Sequence, residues 1–307
     1  MNFQFDTTLQ FAEQQDKQDR LNTFRNKFYF ADKDTIYLDG NSLGRLPIKT
    51  KSIITEVIQK QWGTELIESW NNHWYEKAGE LGDKIAGIIG AKPGEVLVSD
   101  STSVNLYKLV HAALQVQKGK TTVVSDVLNF PTDLYILEGI LQNFGDHFQL
   151  LLANSRNNIS TDMADLKEKI NENTALVVLS LVAFKSSFMY NAQKVTQWAH
   201  KNGALVLWDL SHAAGAVPVE LNQTNADLAV GCTYKYLNGG PGAPAFLYVK
   251  RELQEKLGSP IQGWFGDRSP FQFNLNYEPA SGIRKFVVGT PPVISLMAIE
   301  PGIDLLL

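Results

Sequence analysis

Residues 174–232 hold the stretch that decides the fold: TALVVLSL (174–181), AQKVTQWAHKNG (192–203), ALVLWDL (204–210) and ADLAVGC (226–232). Three short apolar runs of strand length flank a segment whose apolar residues recur at helical spacing. Strands that are apolar along nearly their whole length belong to a sheet covered on both faces. Strands alternating with helices in this way build a mostly parallel sheet, an α/β fold.

The pattern extends outward from there. TTVVSD (121–126) and FQLLLA (148–153) read as two more buried strands, with helical patterns at PTDLYILEGILQNF (131–144) and TDMADLKEKINE (161–172). EVLVSD (95–100), after the turn signal KPG, is a compact β-branched run, and TSVNLYKLVHAALQVQ (102–117) is a helix. GAPAFLYVK (242–250) follows a Gly-rich turn too short for a helical crossover, which predicts an antiparallel addition to the sheet. Nearer the amino terminus, residues 7–28 read as a polar amphipathic helix, TIYLDG (35–40) as a short strand, and 49–70 and 72–90 as helices. PPVISLMAIEPGIDLLL (291–307) reads as a helix interrupted at Pro301–Gly302.

Composition narrows the class without naming a chemistry. The 307 residues are 44% hydrophobic and 20% charged, as in globular proteins, and suit one large or two modest domains. Twenty-eight basic against 32 acidic residues, with no basic block, leave no footprint for nucleic-acid binding. The single cysteine, Cys232, can form neither an intrachain disulfide nor a thiolate-rich metal site by itself. The five histidines are scattered, with no pair at metal-ligand spacing. The polar amino terminus does not read as a secretory signal, and nowhere do about 18 apolar residues run together. The expectation is a cytoplasmic protein, with no membrane partner.

Open α/β sheets bind ligands outside the carboxyl ends of their strands. The residues at those ends are Asp100–Ser103, Phe130–Asp133, Ser180, Asp209 with His212, and Tyr234 with Lys235. A lysine at the mouth of the sheet can form a Schiff base with a carbonyl, although a lone lysine is more often a solvated loop residue. Asp209, after a run of apolar residues, must cap a helix or pair with a buried cation, such as a protonated pyridine nitrogen. Thr102 and Ser103 open a helix, where a phosphate binds cheaply and where an N-cap is the plainer reading. Phe130 can stack on a flat ring or join the core. Asp133 can complement the helix dipole or accept from a ring hydroxyl. One ligand satisfies all of these sites together: pyridoxal 5'-phosphate.

YLDGNSLG (37–44), TSVNLYKL (102–109), NFPTDLY (129–135), LWDLSHAAG (207–215), TYKYLNGGPGAPAF (233–246) and GWFGD (263–267) together resemble the ordered signature blocks of the kynureninases, pyridoxal-phosphate enzymes of fold type I. The resemblance runs from about residue 10 to 300. It implies that Lys235 carries the cofactor, Asp209 pairs with its pyridinium, Phe130 stacks on it, and Thr102 and Ser103 hold its phosphate. Asp133, Ser180, His212 and Tyr234 are implied as further pocket contacts, Tyr234 also as a proton donor. Trp264 and Thr290 are implied as phosphate contacts reaching across from the partner subunit of a homodimer, with Asn41 and Ser42 near the substrate.

The implied reaction is hydrolysis of L-kynurenine or 3-hydroxy-L-kynurenine to the matching anthranilate and L-alanine, in tryptophan degradation and NAD biosynthesis. The implied organisation is an amino-terminal segment of the small domain at 1–50, a cofactor-binding large domain at 51–290, and at 291–307 the start of an incomplete carboxyl-terminal small domain. Family members carry the arginine that clamps the substrate carboxylate in that last domain, and neither Arg45 nor Arg284 matches it. The alternatives are a truncated homologue that binds the cofactor with little activity, and a related lyase such as a cysteine desulfurase. The latter would need Cys232 as a nucleophile, and its place inside a strand reads as a small buried hydrophobe.

Overall fold

A computed structural model of the chain describes residues 6–32 and 34–307. Seven strands form one sheet: β1 (Val96–Val98), β2 (Thr122–Asp126), β3 (Gln149–Ala153), β4 (Thr174–Ser180), β5 (Leu205–Asp209), β6 (Leu228–Gly231) and β7 (Phe246–Val249). Their spatial order is β1-β7-β6-β5-β4-β2-β3. Neighbours from β6 to β3 pair in parallel, while β7 runs antiparallel to both β6 and β1. The antiparallel addition expected at 242–250 is therefore present. It lies inside the sheet, between β1 and β6, and leaves β1 pointing the same way as the parallel strands.

Strands β2, β4, β6 and β7 are buried along their whole length, as their largely apolar sequences require. The helices α4 (Thr102–Val116), α5 (Pro131–Phe144), α6 (Met163–Lys169) and α7 (Ala192–Lys201) fall in the predicted intervals. Pro131 at the first turn of α5 uses a position whose N–H has no intrahelical acceptor. Ahead of the sheet come α1 (Leu9–Gln18), α2 (Ile48–Glu56) and α3 (Lys77–Ile88); after it come α8 (Arg251–Gln254) and α9 (Val293–Asp304).

Four local expectations are corrected. Residues 35–39 are extended but pair with no strand; Ile36 and Leu38 stay exposed, and the segment is held by Tyr37 Oη donating to the Asp39 and Leu43 carbonyls. The helix expected over 7–28 ends at Gln18, where Asp19 turns extended and accepts from the Leu21 amide; a 3₁₀ turn follows at Asn22–Lys27. The helix expected over 49–70 widens into π-helical turns at Val57–Glu65 and again at Trp70–Trp74. Gln61 and Glu65 stabilise that irregular stretch by accepting from Trp74 Nε1 (2.7 Å) and Ser69 Oγ (3.1 Å).

The fourth correction is α9, which continues through Pro301 and Gly302. Gly302 seats the helix directly on the loop after Lys235: a Cβ there would lie 2.1 Å from the Leu237 carbonyl oxygen. Lys77 and Lys84 of α3 bind Glu300 at 2.9 and 2.8 Å and fasten the same helix from its other side. Tertiary contact thus outweighs the hydrogen bond that proline removes.

Gly82 sets the closest approach of a helix to the sheet. A Cβ on it would come within 2.1 Å of the Val96 carbonyl oxygen and 3.2 Å of Leu97 Cα, both backbone atoms that cannot step aside. Gly82→Ala should therefore lower the unfolding free energy by about 1–3 kcal/mol, measured by urea titration. An unshifted midpoint would show that α3 is not seated on β1 in this way.

Candidate active site

The carboxyl ends of β1, β2, β4, β5 and β6 open onto one edge of the sheet, and most of the residues singled out from sequence meet there. Ser180 and Asp209 are register partners at the ends of β4 and β5. Lys235 arrives on the loop after β6, buried, with its Nζ 2.8 Å from His212 Nε2. The same Nζ lies 5.5 Å from the centre of the Phe130 ring and 5.9 Å from that of Tyr234. Phe130 occupies the N-cap position of α5 without a capping side chain. Its ring leans on Phe184 (5.2 Å) and His212 (6.3 Å between centroids).

Two buried acids face this lysine. Asp209 Oδ1 accepts from the Ser211 amide at 2.8 Å, and no helix follows for it to cap. Burial lifts its pKa, opposed by the Ser211 hydrogen bonds and the charge of Lys235. Asp133, in the first turn of α5, is raised well above the usual carboxylate range, by burial first and then by the charge of Asp209. One carboxyl oxygen of Asp133, Oδ2, is buried with no hydrogen-bond partner. Both acids are thus biased toward the neutral form, and at Asp133 the charge of Asp209 adds to the effect of burial.

Burial, reinforced by Lys235, pushes His212 down to about 4, so the ring is neutral at neutral pH. With Nε2 accepting from the lysine, Nδ1 carries the ring proton, and it too is buried without a partner. Burial also pushes the Tyr234 phenol up to about 12 and raises the Cys232 thiol. Both therefore remain protonated, and a buried thiol of this kind is a poor nucleophile.

Helix α4 begins beside this group. Ser101 is its cap, accepting from the Val104 amide, so Thr102 and Ser103 are the first two helical residues and not the cap. Their N–H groups are among those with no acceptor inside the helix. Ser180 donates to Asn129 Oδ1 at 2.7 Å, and Asn129 in turn donates to Ser125. The Gly40–Gly44 turn closes over the lysine loop, with the Gly44 amide donating to the Tyr234 carbonyl at 2.8 Å. Between them lies a cavity of about 380 Å³ lined by Asn41, Arg45, Lys235, Tyr236 and neighbours. Asn41 is in its wall and Ser42 is not.

Trp264 and Thr290 stand apart, and both are exposed; Trp264 packs against Phe265 and Phe273. Among the described residues no hydrogen bond or ring contact joins either to the lysine group. Two pocket residues escaped sequence reading. Asn129 sits inside the NFPTDLY block and had that signal. Phe184 lies in an irregular segment after β4, where no periodicity marks it.

This sheet, with a buried lysine at its carboxyl edge between a stacking ring and two acids, places the chain in a class: it belongs to the class-V aminotransferase family, whose model matches residues 36–307. Within that class it is a member of the kynureninase family. It is 43% identical over 294 residues to a kynureninase of Pseudomonas fluorescens and 42% to one of Burkholderia pseudomallei (strain K96243). In both cases the alignment covers 94% of this chain and 69% of the relative. The fold is similar to that of a cysteine desulfurase from Thermococcus onnurineus NA1 (TM-score 0.75, 20% identity, 89% of this chain and 67% of the other). It is also similar to the cysteine desulfurase CsdA from Escherichia coli (TM-score 0.77, 19% identity, 92% and 70%).

The low pKa of His212 has a measurable consequence. The unfolded chain takes up a proton near pH 6.5, which the folded ring refuses until about pH 4. Stability from this group is therefore lost as pH falls from about 6.5 to about 4. Asp133 and Asp209, whose values are raised, push in the opposite direction, so the measurement is a comparison with His212→Gln. Between pH 7 and pH 5 the parent chain should lose about 1–2 kcal/mol more unfolding free energy than the variant. Equal losses would mean that His212 is not held neutral.

Proposed function

We propose that this chain binds pyridoxal 5'-phosphate at Lys235 and hydrolyses L-kynurenine, or its 3-hydroxy form, to the corresponding anthranilate and L-alanine. The observation that carries the reading is the lysine itself: buried, 2.8 Å from a neutral imidazole, below the Phe130 ring and in the field of Asp209. The surroundings fit the cofactor. Asp133 Oδ2 and His212 Nδ1 are buried polar atoms with no partner in the protein, and a ring bearing a hydroxyl and a nitrogen brings groups that can satisfy them. The start of α4 offers N–H donors suited to a phosphate.

On this reading Lys235 holds the cofactor covalently, Phe130 covers its ring, Asp209 keeps the ring nitrogen protonated, and Asp133 and His212 meet its polar edge. Thr102 and Ser103 take the phosphate, with Ser180 supporting the pocket through Asn129. The cofactor, once bound, supplies an electron sink for the negative charge that develops at the substrate Cα. Lys235, released when substrate takes its place, removes and returns the proton at that carbon; the neutral imidazole beside it accepts a hydrogen bond without competing for charge. Water adds to the side-chain carbonyl carbon and leaves as part of the aryl carboxylate, and Tyr234, still protonated, gives a proton to the alanyl carbon released when that carbon–carbon bond breaks. Asn41, in the wall of the shared cavity, and Ser42, next to it, meet the substrate.

Trp264 and Thr290 complete the phosphate site of a second copy, which explains why they lie away from Lys235 in their own chain. This makes the active unit a homodimer. Residues 51–290 form the cofactor-binding domain, flanked by segments of a smaller one.

Adding pyridoxal 5'-phosphate should produce a visible absorbance band that Lys235→Ala lacks. Borohydride reduction and digestion should place the label on the Lys235 peptide, and the loaded protein should turn over kynurenine. An unlabelled Lys235 peptide would sink the assignment; a labelled peptide without turnover would leave cofactor binding and remove the substrate.

A further inference from the structure

Lysine is almost never fully buried unless it is paired, yet Lys108, in the middle of α4, has no exposed surface. Its Nζ donates to Asp100 Oδ2 and to the Phe286 carbonyl, both at 2.7 Å. Nothing in the reaction above uses it, and the cavity beside Lys235 is not lined by it. Its two acceptors belong to two separate pieces of the site.

Asp100 stands immediately before Ser101, the cap of α4. It adopts a left-handed backbone conformation (φ 49°) and also accepts from Ser99 Oγ at 2.8 Å. The direction in which α4 leaves the sheet is therefore set at this residue. Lys108 lies six residues into the helix, about 9 Å along its axis from Thr102. Its side chain runs back toward the helix start, as helical side chains do.

Phe286 ends a 3₁₀ turn (Gly282–Phe286). The next residues lie flat against the Trp264 segment. A Cβ on Gly263 would sit 1.6 Å from the Val288 carbonyl oxygen, and one on Gly266 would sit 2.6 Å from that of Val287. Thr290 follows two residues after Val288. The strip from Phe286 onward thus carries Thr290 itself and holds Trp264 by backbone contact.

We infer that Lys108 is a positioning residue that locks the phosphate-binding start of α4 to the strip bearing Trp264 and Thr290. The inference rests on the assignment of the phosphate to these groups under the proposed function. Its physical basis is the cost of moving either end. Shifting the helix start or the strip would leave a buried cation with one acceptor, or a buried carbonyl with none. One side chain thereby keeps the phosphate donors a chain uses itself in register with those it lends to its partner.

The test compares pyridoxal 5'-phosphate with pyridoxal, which lacks the phosphate, reading binding from the absorbance of the lysine-bound cofactor in the apo form of the whole chain. The parent should bind the phosphorylated form more tightly. Lys108→Met should weaken that binding about tenfold, the scale of lost outer-shell support at other sites, and leave pyridoxal binding unchanged. Asp100→Asn keeps a side chain that tolerates the left-handed backbone and should narrow the ratio by less; it serves if Lys108→Met does not fold. A parent that binds both ligands equally would overturn the phosphate assignment itself. A parent that discriminates, with variants that discriminate equally well, would overturn the role of Lys108. Equal weakening toward both ligands would overturn it too, because a general loss of structure gives that result.

Discussion

Removing an amine and two carboxyl groups from water is costly unless their charges balance, and the edge of this sheet is built around that balance. Lys235, Asp209 and Asp133 are all buried. Burial raises the pKa of both acids; Lys235 opposes the rise at Asp209, and the charge of Asp209 adds to it at Asp133. Both acids are thereby biased toward the neutral form, Asp133 well beyond the usual carboxylate range. His212 stays neutral because it is buried, and the charge of Lys235 adds to that effect. Without the lysine the acids would have no counter-charge; without Asp209, Asp133 would have less reason to keep its proton. The site's chemistry follows from this mutual dependence more than from any single residue.

The fold makes that balance possible by bringing distant segments to one edge. Asp133 stands on α5, Asp209 ends β5, and Lys235 follows β6, so three separate connections deliver the three groups. Parallel pairing from β6 to β3 aligns the carboxyl ends. The Asn129–Ser125–Ser180 hydrogen bonds tie two of those ends together beneath the site. The Phe130 and His212 rings then flank the lysine amine, with Phe184 packed against both.

Much of this was legible in the sequence, for physical reasons that also explain the gaps. Buried parallel strands must be apolar throughout, so LVLWD and TALVVLS announced themselves, and their ends pointed to Asp209 and Ser180. Phe130-Pro131 marked the start of α5 because the first turn is where a helix accommodates proline without losing a hydrogen bond. Where tertiary contact overrides local preference, reading failed. Pro301 is carried through α9 by packing at Gly302 and by the Glu300 ion pairs. TIYLDG has the composition of a strand but no sheet edge beside it. Phe184 lies in irregular backbone, and nothing in the string TSVNLYKL shows that Lys108 faces inward. Trp264 and Thr290, implied to serve a partner subunit, are exposed in their own chain.

The position of β7 has a bearing on how the molecule is made. Val96 pairs with Tyr248 and Val98 with Phe246, so the first strand of the sheet adjoins the last. At ribosomal speeds of about 5–20 residues per second, β1 waits roughly 8–30 seconds for the neighbour that covers it. During that interval its backbone donors and acceptors have no partner strand, and an open strand invites pairing with the wrong chain. At three residues β1 is the shortest strand of the sheet, which keeps the unprotected stretch brief.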